Sequence, residues 1–201
     1  MDIDKEHIKN ILLRRSPQRI ENGAFTRAAV LLPLFRKENT WHVLFTKRSE
    51  NLPTHSGEVS FPGGALDEGE NAVDAVLRET EEEVGISPRD MEILGRLDES
   101  LTMTQYRVTP FVGIIPYPCE FTVSEYEIED VFDVSIPDLM DPENFRRRRW
   151  TVGGKSFPLY FFEGGKHTIW GLTGRILKQF LELVFEWREP EYRPGVDEYS
   201  I

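Results

Sequence analysis

The chain has 201 residues, of which 39% are hydrophobic and 29% charged, so we expect one domain with a sizeable core. Its formal net charge of −11 argues against a general binder of nucleic acids or anionic membranes, because both need a basic surface. The single cysteine, Cys119, excludes an intrachain disulfide and fits a reducing cytoplasm, which is the location we expect. No apolar run approaches the roughly eighteen residues of a membrane span, and the N-terminus has no signal-peptide core.

The first part of the chain predicts a helix and a β-hairpin. Residues 4–15 carry apolar side chains at helical spacing, which indicates a short amphipathic helix. Residues 28–35 and 41–47 predict two strands joined by a tight turn. Residues 48–64 then form a long loop with a short strand near its end. A loop of this length inside a domain is usually functional.

Residues 63–86, GGALDEGENAVDAVLRETEEEVGI, contain the strongest chemical signal. Residues 71–84 predict a helix, on which Glu79, Glu82 and Glu83 are spaced i, i+3 and i+4. Their carboxylates therefore project from one face, where they repel one another and oppose the helix dipole. A bound cation would offset that cost; the alternative is a solvated acidic helix face, which is the usual explanation of an isolated run of glutamates. Hard oxygen ligands suit Mg²⁺ or Mn²⁺, which also bind phosphates.

The remaining chain predicts four strands and a C-terminal helix, at 91–97, 107–115, 150–152 and 158–163 for the strands and 169–187 for the helix. Residues 138–144 are interpreted as a loop. Residues 124–130 carry a second acidic cluster, for which a solvated helix start is an equally good explanation. The run Arg146–Arg149 is typical of a solvated face or an oligomer contact, which leaves a homodimer open.

The helical stretch resembles the Nudix box, GX5EX7REUXEEXGU, in which U is an aliphatic residue. Gly64, Glu70 and the segment that begins with Arg78 match every fixed position. Thr80 departs from the aliphatic position, but its methyl group can still pack. The resemblance implies an α/β fold, namely an α/β/α sandwich around a mixed β-sheet.

The same resemblance implies hydrolysis of a diphosphate linked to a second group, with Mg²⁺ or Mn²⁺ as the cofactor. Carried over by position, the metal ligands are Glu79, Glu82, Glu83 and the carbonyl of Gly63. Arg78 then orients the carboxylates, and Glu70 sets the geometry between loop and helix. A further carboxylate from a distant loop often completes such sites as a base; Glu127 is the candidate, with Glu125 behind it.

The sequence upstream of the box narrows the substrate. LFTKRS at residues 44–49, Gly57 and FPGG at residues 61–64 resemble the additional motif of the coenzyme A pyrophosphatase branch, LLTxRS-x3-R-x3-G-x3-FPGG. Phe45 is a mild departure, and Pro53 stands where arginine is common. The resemblance implies coenzyme A as the substrate, with 4′-phosphopantetheine and adenosine 3′,5′-bisphosphate as the products.

Candidate substrate contacts follow from this motif: Arg48, Phe61, Gly63 and Gly64. Arg48 could bind a phosphate with both nitrogens of its fork, or form a structural ion pair with the acidic helix. His55 could contact phosphate or base, although a lone loop histidine is more often solvated. The arginine run could hold the 3′-phosphate.

Two alternatives to coenzyme A remain open. Hydrolysis of ADP-ribose, a dinucleotide or a nucleoside triphosphate would use the same box, because the box handles only the diphosphate. A nucleotide sensor without catalysis ranks lower, because such modules commonly lose box glutamates and this chain retains them. We expect an N-terminal helical extension at residues 1–20, the Nudix domain at 21–188 and an acidic tail at 189–201.

Overall fold

The computed structural model describes residues 3–21, 23–52, 56–124, 126–152 and 154–191. Within these residues the helices are α1 (Lys5–Arg14), α2 (Ala72–Val84), α3 (Ile136–Met140) and α4 (Gly171–Val184). The strands are β1 (Thr26–Lys37), β2 (Thr40–Arg48), β3 (Val59–Ser60), β4 (Gly63–Ala65), β5 (Glu92–Arg96), β6 (Ser100–Leu101), β7 (Tyr106–Ile114), β8 (Ile128–Ser135), β9 (Phe145–Val152), β10 (Lys155–Gly164) and β11 (His167–Ile169). Short 3₁₀ turns cover Pro88–Asp90 and Pro142–Asn144.

The large sheet is built around β1, whose central residues 28–35 are all apolar. It pairs in parallel with β7 from Thr26↔Tyr106 to Leu34↔Ile114 and antiparallel with β2 and β4. The strand order is β3-β2-β1-β7-β5, with β8 added to β2 and β6 to β7. Because the sheet is covered on both faces, a central strand is expected to be a continuous apolar run.

Alternate side chains of the sheet feed two separate cores. Leu44 of β2 packs in one cluster with Val76 of α2, whereas the next residue, Phe45, packs in the other with Phe180 of α4. Ile8 of α1 is buried in the same cluster as Phe180, so the N-terminal helix packs onto this face as well. The molecule is therefore the mixed α/β sandwich that the resemblance implied.

The prediction for residues 124–144 was incomplete, because β8 and α3 lie there. Ile128, Phe132 and Val134 of β8 are buried. Acidic residues interrupt that apolar pattern in the sequence, and the fold satisfies them through distant partners. Asp130 accepts from His167 at 2.7 Å, and Asp133 contacts His42 at 2.6 Å. The end of the acidic cluster, Glu129 and Asp130, thus belongs to β8.

Strands β11, β10 and β9 form a second sheet in that order. Strand β9 is longer than the predicted strand at 150–152, because it begins at Phe145 and includes the whole arginine run. This sheet packs on α4, where Phe162 is fully buried. Three residues named from the sequence, Pro53, His55 and Glu125, lie outside the described residues, as does the segment 192–201. Within the described part of the chain, no helix is long and apolar enough to span a membrane.

Candidate active site

Helix α2 is bounded by strong local signals. The side chain of Asn71 accepts hydrogen bonds from the backbone N–H groups of Val73 and Asp74, both at 3.0 Å. At the other end Gly85 adopts a left-handed conformation with φ of 75°, and its N–H donates to the Glu81 carbonyl at 2.9 Å. These caps satisfy end groups that the helix itself leaves unpaired. They fix the register of the acidic face.

Thr80, the departure from the aliphatic box position, is fully buried in α2 and donates its hydroxyl to the Val76 carbonyl at 2.7 Å. Thr80→Val removes this bond and adds an apolar contact, so we expect the free energy of unfolding to stay within about 1 kcal/mol of the wild type. Thr80→Ser keeps the hydroxyl but loses a buried methyl, and should destabilise by about 1 kcal/mol. Chemical denaturation measures both; greater damage from valine than from serine would contradict this account.

The glycines of β4 let two glutamates approach the backbone. The N–H of Gly63 donates to Oε2 of Glu83 at 3.1 Å. A Cβ atom on Gly64 would collide with the whole carboxyl group of Glu79. The FPGG segment therefore contributes to the site by lacking side chains.

Glu83 is the most perturbed acid of the site. It is 2% exposed, and burial raises its pKa to about 8, helped by the nearby charges of Glu79 and Glu127. The Gly63 N–H and the Arg48 guanidinium, whose Nη1 lies 3.7 Å from Oε1 of Glu83, oppose this rise without cancelling it. Burial likewise raises the pKa of Glu79. The cluster holds more negative charge than its own cations compensate.

Arg78 connects the outer carboxylates. Its Nε and Nη2 donate to the two oxygens of Glu70 at 3.0 Å each, and Nη1 donates to Glu79 at 2.7 Å and to Glu82 at 3.1 Å. Hydrogen bonds from Arg78 lower the pKa of Glu70. Glu70 thus anchors Arg78, and Arg78 positions the two glutamates on the helix.

Glu127 reaches this cluster from the loop before β8. The N–H of Ser124 donates to the Glu83 carbonyl at 3.2 Å, and Ser49, directly after β2, donates its N–H to the Glu127 carbonyl at 2.8 Å. The charge of Glu127 contributes to the raised pKa of both Glu79 and Glu83. Ser124 and Glu127 therefore connect the end of α2 to the loop that follows β2 through backbone hydrogen bonds.

The chemistry of these donors fits a divalent cation. The pKa values of Glu79 and Glu83 are raised, and a bound cation would lower them again. Glu82 is exposed beside them on the helix. As the side chains stand, no three acidic, histidine or cysteine side chains among the described residues converge to metal-binding geometry. Glu79 and Glu82 instead bind Arg78, so holding a metal requires them to rotate away from the guanidinium.

The fold does not bring every predicted residue to this site. Phe61 is 2% exposed and its ring stacks on Phe45 in the core, with 5.2 Å between centroids, so its side chain does not line the site. The arginine run lies in the second sheet, where Arg147 pairs with Glu189 at 2.8 Å. Arg48, Gly63, Gly64, Arg78 and the glutamates of α2 do come together.

Comparison with known proteins agrees with this geometry. The NUDIX domain family model matches residues 25–152. An uncharacterized Nudix hydrolase of Escherichia coli K12, NudL, is 36% identical over 154 residues, which cover 76% of this chain and 80% of that protein. The crystal structure of a MutT/nudix family protein from Enterococcus faecalis superposes with a TM-score of 0.55 at 15% identity, over 91% of this chain and 75% of its own.

Proposed function

This chain belongs to the Nudix hydrolase family and is therefore a diphosphatase, and we propose that it hydrolyses the diphosphate bond of coenzyme A or a coenzyme A derivative. Nudix hydrolases generally use divalent metals and act on nucleotide derivatives. The proposal specifies Mg²⁺ or Mn²⁺ as the ion and a coenzyme A-like molecule as the substrate. The products are 4′-phosphopantetheine and adenosine 3′,5′-bisphosphate.

The observation that supports this substrate is the position of Arg48. This arginine belongs to the upstream motif, and its guanidinium lies 3.7 Å from Glu83 inside the catalytic cluster. Its neighbour Ser49 is hydrogen-bonded to the backbone of Glu127. The segment that distinguishes the coenzyme A branch thus adjoins the carboxylates that carry the chemistry.

Each residue of the cluster has a role in this mechanism. Glu79, Glu82 and Glu83 would hold the divalent ions, which neutralise the diphosphate and lower the pKa of bound water. Arg78, anchored on Glu70, holds the carboxylates of Glu79 and Glu82 beside the site in the metal-free protein, and these two side chains would turn from Arg78 to bind the ion. In this proposal Glu127 accepts the proton of the attacking water, and Arg48 donates to phosphate oxygens through two nitrogens of its guanidinium.

Product analysis with a substrate panel tests the proposal. The purified protein is incubated with Mg²⁺ or Mn²⁺ and coenzyme A, dephospho-coenzyme A, ADP-ribose, NADH or a nucleoside triphosphate. We expect the highest kcat/KM with coenzyme A and adenosine 3′,5′-bisphosphate as a product. Preference for ADP-ribose or a dinucleotide would retain the catalytic residues and reject the substrate assignment. Binding without cleavage of any compound would reject catalysis itself.

The close approach of β4 to α2 gives a further prediction. Gly64→Ala places a methyl group against the Glu79 carboxylate and displaces this proposed metal ligand. We therefore expect kcat to fall by about 10- to 100-fold. The carboxylate is the flexible end of a side chain, so the melting temperature should change little. Gly23→Ala is the matched control, since a Cβ atom there meets nothing within 4 Å. Equal activity of the two variants would contradict the assigned contact.

A further inference from the structure

The arginine run is divided between two faces of the second sheet. Because side chains alternate along a strand, Arg147 shares a face with the buried Phe145, whereas Arg146 and Arg148 point to the opposite face. On the buried side Arg147 pairs with Glu189. On the other side the guanidinium carbon of Arg148 lies 4.9 Å from the ring centroid of Phe161. The two halves of the run therefore have different environments.

Strand register builds a row of three side chains across that second face. Phe161 is paired with Arg146 on one side, and the pairing Phe162↔Ile169 places Trp170 level with Phe161 on the other. The rings of Trp170 and Phe161 are stacked, with 6.0 Å between centroids and 7° between planes. Trp170 is 42% exposed, so part of its ring faces solvent while its orientation is held by Phe161. We call this surface the outer face; its residues are Arg146, Arg148, Phe161 and Trp170.

We propose that the outer face is a nucleotide-binding site, at which a base stacks on Trp170 and a phosphate is bound by Arg146 and Arg148. Exposed aromatic rings beside arginines are the chemistry that recognises bases and phosphates together. Arg146 donates to the backbone carbonyls of Glu143 and Phe145, both at 2.7 Å, which orients its guanidinium. Arg146 and Arg148 place two positive charges on one face of a chain whose net charge is −11, and a phosphate is complementary to those charges.

The dimensions of the outer face fit one nucleotide. Its three strands lie about 4.8 Å apart and it is about three residues deep, so it spans roughly 10 by 10 Å. It accommodates one base with its sugar and phosphate. Glu163 lies on the same face, two residues beyond Phe161, and accepts from Thr168 at 2.9 Å. We therefore expect the phosphate on the side of Arg146 that faces Arg148.

This site is separate from the catalytic carboxylates and does not depend on the coenzyme A assignment. The catalytic cluster lies between α2 and the large sheet, whereas the outer face belongs to the second sheet and points away from α4. Binding there requires no divalent ion, because its phosphate contacts are arginines. The two sites can therefore be tested independently.

Calorimetric titration of the full-length protein with AMP in EDTA tests the proposal, since chelation removes metal-dependent binding at the catalytic centre. We expect saturable binding that weakens at least about tenfold in Trp170→Ala and persists in Trp170→Phe, which keeps a ring. Arg146→Gln should weaken AMP binding and leave adenosine binding unchanged. Phe157→Ala is the matched control, because Phe157 is 45% exposed on the same side of the sheet but lies outside the outer face, four residues along β10 from Phe161. Circular dichroism checks that each variant is folded.

Three results would overturn the proposal: no binding by the wild type, equal binding by wild type and Trp170→Ala, or equal loss in Phe157→Ala and Trp170→Ala. A wild-type dimer in sedimentation that Trp170→Ala converts to a monomer would also overturn it, by showing that a second copy covers the face. The activity of Trp170→Ala on the substrate panel is measured as well, which separates this binding test from the test of the proposed function. An inactive wild type with intact AMP binding would refute the proposed function alone.

Discussion

Glu82→Gln is expected to lower kcat by between about 10² and 10⁴-fold while leaving the fold intact. The carboxylate projects from α2 beside Glu79, and its side chain is 58% exposed, so little packing depends on it. Glutamine has the same shape but lacks the negative charge that a metal ligand supplies. Steady-state kinetics with Mg²⁺ and with Mn²⁺ measures the loss, and thermal unfolding measures the stability.

Glu81→Gln provides the matched control for this experiment. Glu81 is the adjacent residue on α2, is also exposed, and points away from Glu79 and Glu83. We expect its activity to stay within about twofold of the wild type, because a surface charge outside the cluster contributes little. Near-normal turnover of Glu82→Gln would remove Glu82 from the catalytic assignment. A comparable loss in Glu81→Gln would indicate general electrostatics instead of ligation.

The second large effect concerns the stability of the metal-free protein as a function of pH. Folding raises the pKa of Glu83 from about 4.5 to about 8, so between these values the folded state binds more protons than the unfolded state. Stability from this group is therefore present at low pH and is lost as pH rises through that window. We expect Glu83→Gln, which cannot ionise, to gain about 3 kcal/mol relative to the wild type between pH 5 and pH 8.

Denaturant unfolding in EDTA across this pH range measures the effect. The amide oxygen of the glutamine can still accept the Gly63 N–H, so the fold should persist. Added Mg²⁺ should raise the melting temperature of the wild type at pH 8 and leave Glu83→Gln much less affected, because the charge that the ion would compensate is absent. A pH dependence that is identical in the two proteins would show that Glu83 is not the group responsible.

Local patterns in the sequence were sufficient to predict the acidic helix α2. The spacing of Glu79, Glu82 and Glu83 places them on one helical face whatever the rest of the fold does, because that spacing is a property of the helix. Asn71 and Gly85 likewise set its ends through contacts within a few residues. The box resemblance added the family and the mixed α/β architecture, which the comparisons confirm.

The tertiary structure alone decided the environment of those residues. Burial and the charge of Glu127 raise the pKa of Glu83, and Arg48 opposes the rise. Arg48 and Glu127 are distant in sequence and meet through the pairing of β2 and β8. Strand β8 was not predicted, because acidic residues interrupt its apolar pattern. Histidines from elsewhere in the chain contact those acids, and only the fold brings them together. The upstream motif also suggested Phe61 as a substrate contact, but the fold buries its side chain in the core.

The arginine run shows most directly the difference between what the sequence determines and what the tertiary structure determines. In sequence its four members are equivalent charges, and a solvated face, an oligomer contact or a phosphate site explains them equally. In the fold, strand alternation sends Arg147 to Glu189 and Arg148 to Phe161. Residue spacing along one element is determined by the sequence itself, because backbone geometry is local. Desolvation and charge pairing depend on which elements meet, and therefore only the tertiary structure decides them.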